Sequence, residues 1–162
     1  MEIPFKERKN VLQEQSSRIL ALDIGDRRIG LALSDEMRLT AQPFGTLTLK
    51  GEHDFKKIFS ELFQILKENS VSTIVIGLPI NMNGTEGPQA EKVREFIEKF
   101  QNFLKTKKTD SKNWEWEFWD ERLSTTGAER HLIKADVSRA KRKKVIDKMA
   151  AVFILQGYLE NL

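Results

Sequence analysis

The sequence contains no cysteine among its 162 residues, which excludes disulfide bonds and thiolate metal ligands. Its two histidines, His53 and His131, lack the spacing of a metal-ligand pair and are predicted to be surface residues. No apolar run approaches the roughly 20 residues that cross a bilayer, and the N-terminal residues lack the apolar core of a secretion signal. We therefore expect a cytoplasmic protein with no membrane partner.

The composition is that of an ordinary globular protein, with 40% hydrophobic and 31% charged residues. Residues 1–17 are polar and show no sustained periodicity, which predicts a flexible N-terminal extension. The rest of the chain is long enough for one compact domain with a sizeable core. We expect that domain to cover residues 18–162.

Strand and helix patterns alternate after residue 18. The strands are predicted at Ile19–Gly25, Ile29–Ser34, Thr46–Leu49, Thr73–Leu78 and Trp114–Trp119. The helices are predicted at Asp54–Lys67, from Pro88 to about Leu104, around Ala128 and Leu132, and at Val145–Leu159. This order predicts an α/β fold with a mixed sheet, in which three antiparallel strands come first and helices cover both faces.

Three acidic residues stand next to apolar segments. Asp23 follows the run Ile19–Leu22, Glu121 follows an aromatic strand, and Asp147 shares a helical face with Ala151. An ionised carboxylate beside a core is costly unless a positive charge compensates it, and a divalent cation is a common compensation where three carboxylates converge. We predict that Asp23, Glu121 and Asp147 are the catalytic residues and metal ligands.

Each acid also has a purely structural interpretation. Asp23 can accept hydrogen bonds from the turn after its strand, and Asp147 can form a surface ion pair with the lysines one turn earlier. Glu121 stands where a strand ends and a helix begins, and an acid there can simply stabilise the helix N-terminus. Asp120 competes with Glu121 for the site, because adjacent residues of a strand point to opposite faces. We favour Glu121 over Asp120.

Positive charge is concentrated in the C-terminal third. Between Arg122 and Lys148, nine Lys or Arg residues face three acids, a local balance of +6 that predicts a polyanionic partner or a solvated basic helix start. The Gly- and Asn-rich loop over residues 77–88 offers N–H groups to phosphates, or is a long turn before a helix. The predicted nucleic-acid-binding residues are Arg27, Arg28, Asn81, Arg122, Arg139, Lys141, Arg142, Lys143 and Lys144.

Five segments carry a resemblance to a known family. They are LDIGDRRIGLALSD (22–35), TAQPFGTL (40–47), IVIGLPINMNGTEGPQAEKVREF (74–96), DERLSTTGAER (120–130) and KKVIDKMAAVFILQGYL (143–159). Together they resemble the YqgF family, also called RuvX-like, of pre-16S rRNA nucleases related to Holliday junction resolvases. Asn83 departs from the pattern, since relatives often have Asp there, and residues 1–17 look like an addition.

The resemblance implies an RNase H-like fold with a mixed five-stranded sheet, and it places Asp23, Glu121 and Asp147 at the family's acidic positions. It implies hydrolysis of phosphodiester bonds with Mg²⁺ or Mn²⁺, in processing of the 5′ end of pre-16S rRNA. The expected partners are nucleic acid, either structured RNA or branched DNA, and a ribosomal subunit. We expect a monomer or a homodimer.

Other functions stay open at this point. One is a Holliday junction resolvase acting on DNA, and another is a non-catalytic protein that binds RNA or the ribosome with a nuclease fold. Actin-like kinases also begin with an Asp-x-Gly hairpin, but they enclose a nucleotide between two such domains, and 162 residues supply one. A nuclease is therefore the favoured function.

Overall fold

The structure, a computed structural model, describes residues 17–107, 113–123 and 138–162, without the side chains of Glu52 and residues 142–148. The predicted helix around Ala128 and Leu132 lies outside the described residues, as do His131 and all but the last residue of the predicted N-terminal extension. His53 is exposed, as predicted.

A single sheet runs through the described part of the chain. Its strands are β1 (Arg18–Ile24), β2 (Arg28–Ser34), β3 (Ala41–Thr48), β4 (Val71–Leu78) and β5 (Glu115–Asp120). The order across the sheet is β3-β2-β1-β4-β5. Strands β1, β2 and β3 pair in antiparallel fashion, whereas β4 is parallel to both β1 and β5. The predicted mixed sheet with three leading antiparallel strands is confirmed.

Helices cover both faces of this sheet. After a 3-10 turn at Glu52–Asp54, the helices are α1 (Phe55–Glu68), α2 (Pro88–Lys105) and α3 (Arg139–Glu160). Helices α1 and α2 pack on one face, over side chains such as Leu22 and Ile76, while α3 packs on the other face, over Ala21 and Val75. Within the described residues, no helix combines the length and the apolarity needed to span a membrane.

Strand β3 begins at Ala41, five residues before the predicted start at Thr46. The prediction was wrong because Pro43 was taken as a strand break. Pro43 is accommodated on an edge strand at an irregularity, where Leu31 pairs with Gly45 but Ala32 pairs with Pro43, leaving Phe44 as an extra residue. Edge strands and bulges are the places where a sheet tolerates the missing N–H of proline.

Helix α3 begins at Arg139, six residues before the predicted Val145. Its N-cap is Ser138, whose hydroxyl accepts a hydrogen bond from the N–H of Lys141. A serine at this position satisfies an N–H that the first helical turn leaves without an intrahelical acceptor. The basic residues 139–144 therefore form the first turns of the longest helix described.

Ser34 is a buried polar residue that joins β1 to β2, with 2% of its surface exposed. Its Oγ accepts a hydrogen bond from the N–H of Ile19 at 2.9 Å and donates one to the carbonyl oxygen of Asp35 at 3.0 Å. Removing the hydroxyl leaves a buried N–H without this acceptor. The penalty for such a group is larger than the net gain from an ordinary hydrogen bond.

We predict that Ser34→Ala lowers the free energy of unfolding by about 1–3 kcal/mol in urea denaturation. The matched control is Ser60→Ala on the exposed surface of α1, where the hydroxyl donates only to the Lys56 carbonyl oxygen of its own helix. That change should stay within about 0.5 kcal/mol of the wild type. Equal effects of the two substitutions would contradict the role given to Ser34.

Candidate active site

Asp23 lies near the carboxyl end of β1 and pairs with Gly30 of β2. Side chains alternate along a strand, and Leu20 and Leu22 belong to the core under α1 and α2. Asp23 therefore points to the opposite face, the face that α3 covers, and it is partly buried there. A Cβ added to Gly30 would lie 3.6 Å from the Asp23 Cβ and 3.7 Å from the Ala151 Cβ, so this part of α3 borders the carboxylate.

Glu121 follows β5 directly, where the chain turns into a helix. Its side chain lies across Gly77 of β4, because a Cβ added there would be 2.7 Å from Glu121 Oε1 and 2.4 Å from Ile154 Cδ1. Those distances are too short for any real Cβ contact. The missing side chain of Gly77 is therefore what leaves room for Glu121 between the sheet and α3.

The two carboxyl groups meet in this space. Asp23 and Glu121 interact through a side-chain hydrogen bond, which together with burial and the negative charge of Asp23 raises the pKa of Glu121 to about 7. Burial is the largest of these causes, and the charge of Asp120 adds a smaller contribution. Two carboxylates in contact cannot both be charged at low cost, so the pair retains a proton or binds a cation.

Asp120 is directed elsewhere. It accepts hydrogen bonds from Arg122 Nη2 at 2.7 Å and from Arg122 Nε at 3.0 Å, and these bonds lower the pKa of Asp120. Arg122 also donates from Nη1 to the carbonyl oxygen of Asn81, at 3.4 Å, in the loop after β4. The structure thus brings Glu121, and not Asp120, to Asp23.

For Asp147, the third predicted acid, the structure describes the backbone but not the side chain. Asp147 lies in α3, four residues before Ala151, which borders Asp23. Residues at this spacing share one face of a helix. Its side chain is outside the described residues, so its convergence on the other two acids stays a prediction.

The donor set fits a hard divalent cation, since carboxylate oxygens are the ligands that Mg²⁺ and Mn²⁺ prefer. The contact between Asp23 and Glu121 supplies a concentration of negative charge that such an ion relieves. Among the described side chains, no group of three or more His, Cys, Asp or Glu residues is arranged to hold a metal ion.

The predicted nucleic-acid-binding residues belong to four places in the chain: the β1–β2 turn, the loop after β4, the end of β5, where Arg122 follows Glu121, and the first turns of α3. Arg27 and Arg28 are exposed at the turn between β1 and β2, and Asn81 is exposed in the loop after β4. Arg139 and Lys141 are exposed in the first turn of α3. The side chains of Arg142, Lys143 and Lys144 are outside the described residues, and the binding role of the whole set stays a prediction.

Two contributors to this region escaped the sequence reasoning. The first is Gly77, whose missing side chain leaves room for Glu121. This role depends on the pairing of β4 with β5, which places Gly77 opposite Trp119, and the sequence alone does not give that pairing. Arg94 of α2 donates to both carboxylate oxygens of Glu86, at 2.8 and 2.6 Å, and its guanidinium lies 4.6 Å from the ring centroid of Phe118. No periodic pattern in the sequence indicates that contact.

The sheet order, the helices on both faces and the acid pair at the carboxyl ends of parallel strands define an RNase H-like nuclease. The family model of RuvX, described as Holliday junction resolvase, matches residues 17–161. The chain belongs to this family. The resemblance predicted from the sequence is confirmed, and so are the fold class and the nuclease class.

Curated relatives match over nearly their whole length. A Clostridioides difficile protein is 56% identical over 143 residues, which cover 88% of this chain and 94% of the relative. A Clostridium botulinum protein is 50% identical over 146 residues, covering 90% of this chain and 98% of the relative. Both are named "Putative pre-16S rRNA nuclease".

Solved structures support the fold alone. The RuvC protein of Thermus thermophilus in complex with a Holliday junction substrate aligns with a TM-score of 0.54 at 10% sequence identity, covering 90% of this chain and 96% of that one. The structure of T. thermophilus RuvC gives a TM-score of 0.51 at 10% identity, with coverage of 89% and 96%.

Gly77 offers a test of the packing around Glu121. Gly77→Ala should lower the free energy of unfolding by about 1 kcal/mol, the low end of the usual cost of overpacking, because the new methyl group displaces the terminal atoms of the flexible Ile154 and Glu121 side chains. The control is Gly30→Ala, where the new methyl group makes only ordinary contacts with Asp23 and Ala151. Thermal and urea unfolding of both variants measure the difference, and a Gly77→Ala protein as stable as Gly30→Ala would refute this packing.

The acid pair predicts a pH dependence of stability in EDTA. Folding raises the pKa of Glu121 from 4.5 to about 7, so between these values the folded protein keeps a proton that the unfolded chain has lost. The stability that this proton contributes is complete below pH 4.5 and disappears as the pH rises through 7. The associated decrease in the free energy of unfolding is on the order of 1–3 kcal/mol.

Glu121→Gln isolates this contribution, because glutamine has no carboxyl proton to lose. Urea unfolding of both proteins between pH 4.5 and 8 should give a steeper decline for the wild type than for the variant. Parallel curves would show that Glu121 is not buried against Asp23 as described.

Proposed function

We propose that this protein is a metal-dependent nuclease that hydrolyses phosphodiester bonds in RNA, with the precursor of 16S rRNA as its substrate. The observation that carries the proposal is the contact between Asp23 and Glu121 at the carboxyl edge of the sheet. The names of the curated relatives support the choice of substrate. The proposed place of action is the cytoplasm, with a ribosomal subunit as partner.

Asp23, Glu121 and Asp147 are the proposed ligands of one or two Mg²⁺ or Mn²⁺ ions. When bound, such ions activate water for attack on a phosphodiester and stabilise the charge of the leaving oxygen. Glu121 has to give up the proton it holds near neutral pH before it can serve as an anionic ligand. Ile154 and Ala151 of α3 keep part of the pair away from bulk water, which strengthens the attraction for a cation.

The start of α3 is the proposed site for the nucleic-acid backbone. Basic side chains at a helix N-terminus are unfavourable, since that end carries partial positive charge, and the first turn of α3 contains no acid to offset them. A phosphate backbone removes this repulsion. Arg27 and Arg28, exposed at the β1–β2 turn, are proposed as further contacts to the phosphate backbone.

Binding without catalysis explains the acid pair less well. A protein that only held RNA would gain nothing from carboxylates in contact beside a basic surface, because their charge repels phosphate. Cleavage of a DNA junction is the competing activity, and the description of the family model favours it. The substrate comparison below separates the two.

Asp23→Asn should lower the rate at which a pre-16S rRNA fragment is cleaved in Mg²⁺ or Mn²⁺ by roughly 100-fold or more. The reason is that stabilisation of the transition state by a metal ion is worth several kcal/mol. The matched control is Asp26→Asn, which changes an exposed acid three residues further on that pairs with Lys92 at 3.3 Å. That variant should keep wild-type activity. Circular dichroism and urea unfolding verify that both variants fold.

The same assay run with a four-way DNA junction distinguishes the substrates. Faster metal-dependent cleavage of the RNA supports rRNA processing, whereas faster cleavage of the junction supports resolvase activity. A folded wild-type protein that cleaves neither substrate would overturn the proposed metal-dependent nuclease. So would one that cleaves the substrates as fast in EDTA as it does with Mg²⁺ or Mn²⁺.

A further inference from the structure

A cavity of about 350 Å³ lies at the carboxyl end of β1, on the face of the sheet that α1 and α2 cover. Its apolar lining consists of Ile24 of β1, Leu49 after β3, Phe55 of α1 and Phe96 of α2. Asp23 faces the other side of the sheet, so the cavity is separate from the acid pair. Its volume is at the lower end of the range found for small-molecule sites.

Phe55 is a partly exposed aromatic ring in this lining. Its centroid lies 5.8 Å from that of Phe59, in a stacked arrangement, and 5.7 Å from that of Phe96, in an edge contact. These contacts restrict the orientation of the ring. An aromatic ring held in the lining of a cavity is a surface on which a nucleobase can stack.

Two lysines of α2, Lys92 and Lys99, line the same cavity. They are seven residues apart and therefore share one face of the helix. Lys99 Nζ lies 5.3 Å from the ring centroid of Phe55, and no carboxylate among the described side chains is within ion-pair distance of it. Lys92 pairs with Asp26 at 3.3 Å, but both side chains are mostly exposed, which makes the pair weak. Both ammonium groups can therefore bind an anion.

Glu95 and Gln89 of α2 also line the cavity. A carboxylate repels a bare phosphate, but it accepts hydrogen bonds from the hydroxyl groups of a ribose. An amide both donates and accepts hydrogen bonds, as the edge of a base does. The lining thus combines an aromatic ring, a hydroxyl acceptor and ammonium groups, which match the base, the sugar and the phosphate of a nucleotide.

We propose that this cavity binds a single nucleoside monophosphate unit. The base stacks against Phe55, the ribose hydroxyls donate to Glu95, and the phosphate is held by Lys99 and Lys92. The unit is a free nucleotide or the end of an RNA strand, which share this chemistry. The site does not depend on the proposed nuclease function, since none of these side chains belongs to the acid pair or to the basic start of α3.

Titration calorimetry of the full-length wild-type protein with adenosine 5′-monophosphate (AMP) tests the site. EDTA is present throughout, so that no metal ion holds phosphate at the acid pair. AMP should bind, whereas adenosine and inorganic phosphate should each bind weaker by roughly tenfold or more, because each lacks part of the contacts. No binding of AMP at millimolar concentration, or equal affinities for AMP and inorganic phosphate, would overturn the proposal.

Substitutions assign the two ends of the nucleotide. Lys99→Ala should weaken AMP binding by roughly tenfold, because it removes a charge-assisted contact with the phosphate. Phe55→Leu should also weaken it by roughly tenfold, through loss of stacking, and leave the weak binding of inorganic phosphate unchanged. Circular dichroism verifies that both variants fold.

Lys105→Ala is the matched control, since Lys105 is an exposed lysine in the last turn of α2 that does not line the cavity. This variant should bind AMP as the wild type does. An unchanged affinity with Lys99→Ala, or an equal loss with Lys105→Ala, would refute the assignment of the phosphate to this cavity.

Amide signals in ¹⁵N–¹H spectra locate the bound nucleotide. Gly25 and Gly51 line the cavity, so their signals should shift when AMP is added. Gly45 in β3 and Gly84 in the loop after β4 lie outside the lining, and their signals should stay in place. Unshifted signals of Gly25 and Gly51 at saturating AMP would show that the nucleotide binds elsewhere.

A 5′-phosphorylated adenosine trinucleotide distinguishes the two sources of the ligand. If it binds more tightly than AMP and with the same dependence on Lys99, the occupant is the end of an RNA strand. If it binds more weakly, the occupant is a free nucleotide. The nuclease function is tested by cleavage with metal and this site by binding in EDTA, so either can fail without the other.

Discussion

The contact between Asp23 and Glu121 is the constraint on which the site depends. Two carboxyl groups lie together beneath α3, and burial and mutual repulsion raise the pKa of Glu121 to about 7. The fold has to stabilise this arrangement with interactions elsewhere, since two like charges gain nothing from proximity. The sheet holds both groups where parallel strands end, and Gly77 leaves the space that Glu121 occupies.

At the end of β5, two neighbouring acids have different partners. Glu121 turns toward Asp23, while Asp120 forms an ion pair with Arg122, which in turn reaches the loop after β4. This ion pair is partly exposed, and its contribution to stability is therefore small. Its value is geometric, because it attaches the loop to the strand end and holds the backbone beside Glu121.

The sequence predicts those parts of the site that depend on local periodicity. Asp23 continues the alternation of β1, so the face it occupies follows from its neighbours alone. The choice between Asp120 and Glu121 does not, because it depends on the register of β5 against β4 and on the helical turn that begins at Glu121. The start of β3 was predicted too late for a similar reason. Pro43 is tolerated because β3 is an edge strand, and only the sheet order shows this.

The chemistry that raises the pKa of Glu121 also sets the terms on which the proposed cation binds. Near pH 7 the pair still holds part of a proton, so a cation has to displace it, and binding becomes more favourable as the pH rises. The repulsion that opposes folding above this pH is the same repulsion that a divalent ion removes. In the proposed nuclease, metal binding therefore recovers stability that the folded chain gives up to keep its two acids in contact.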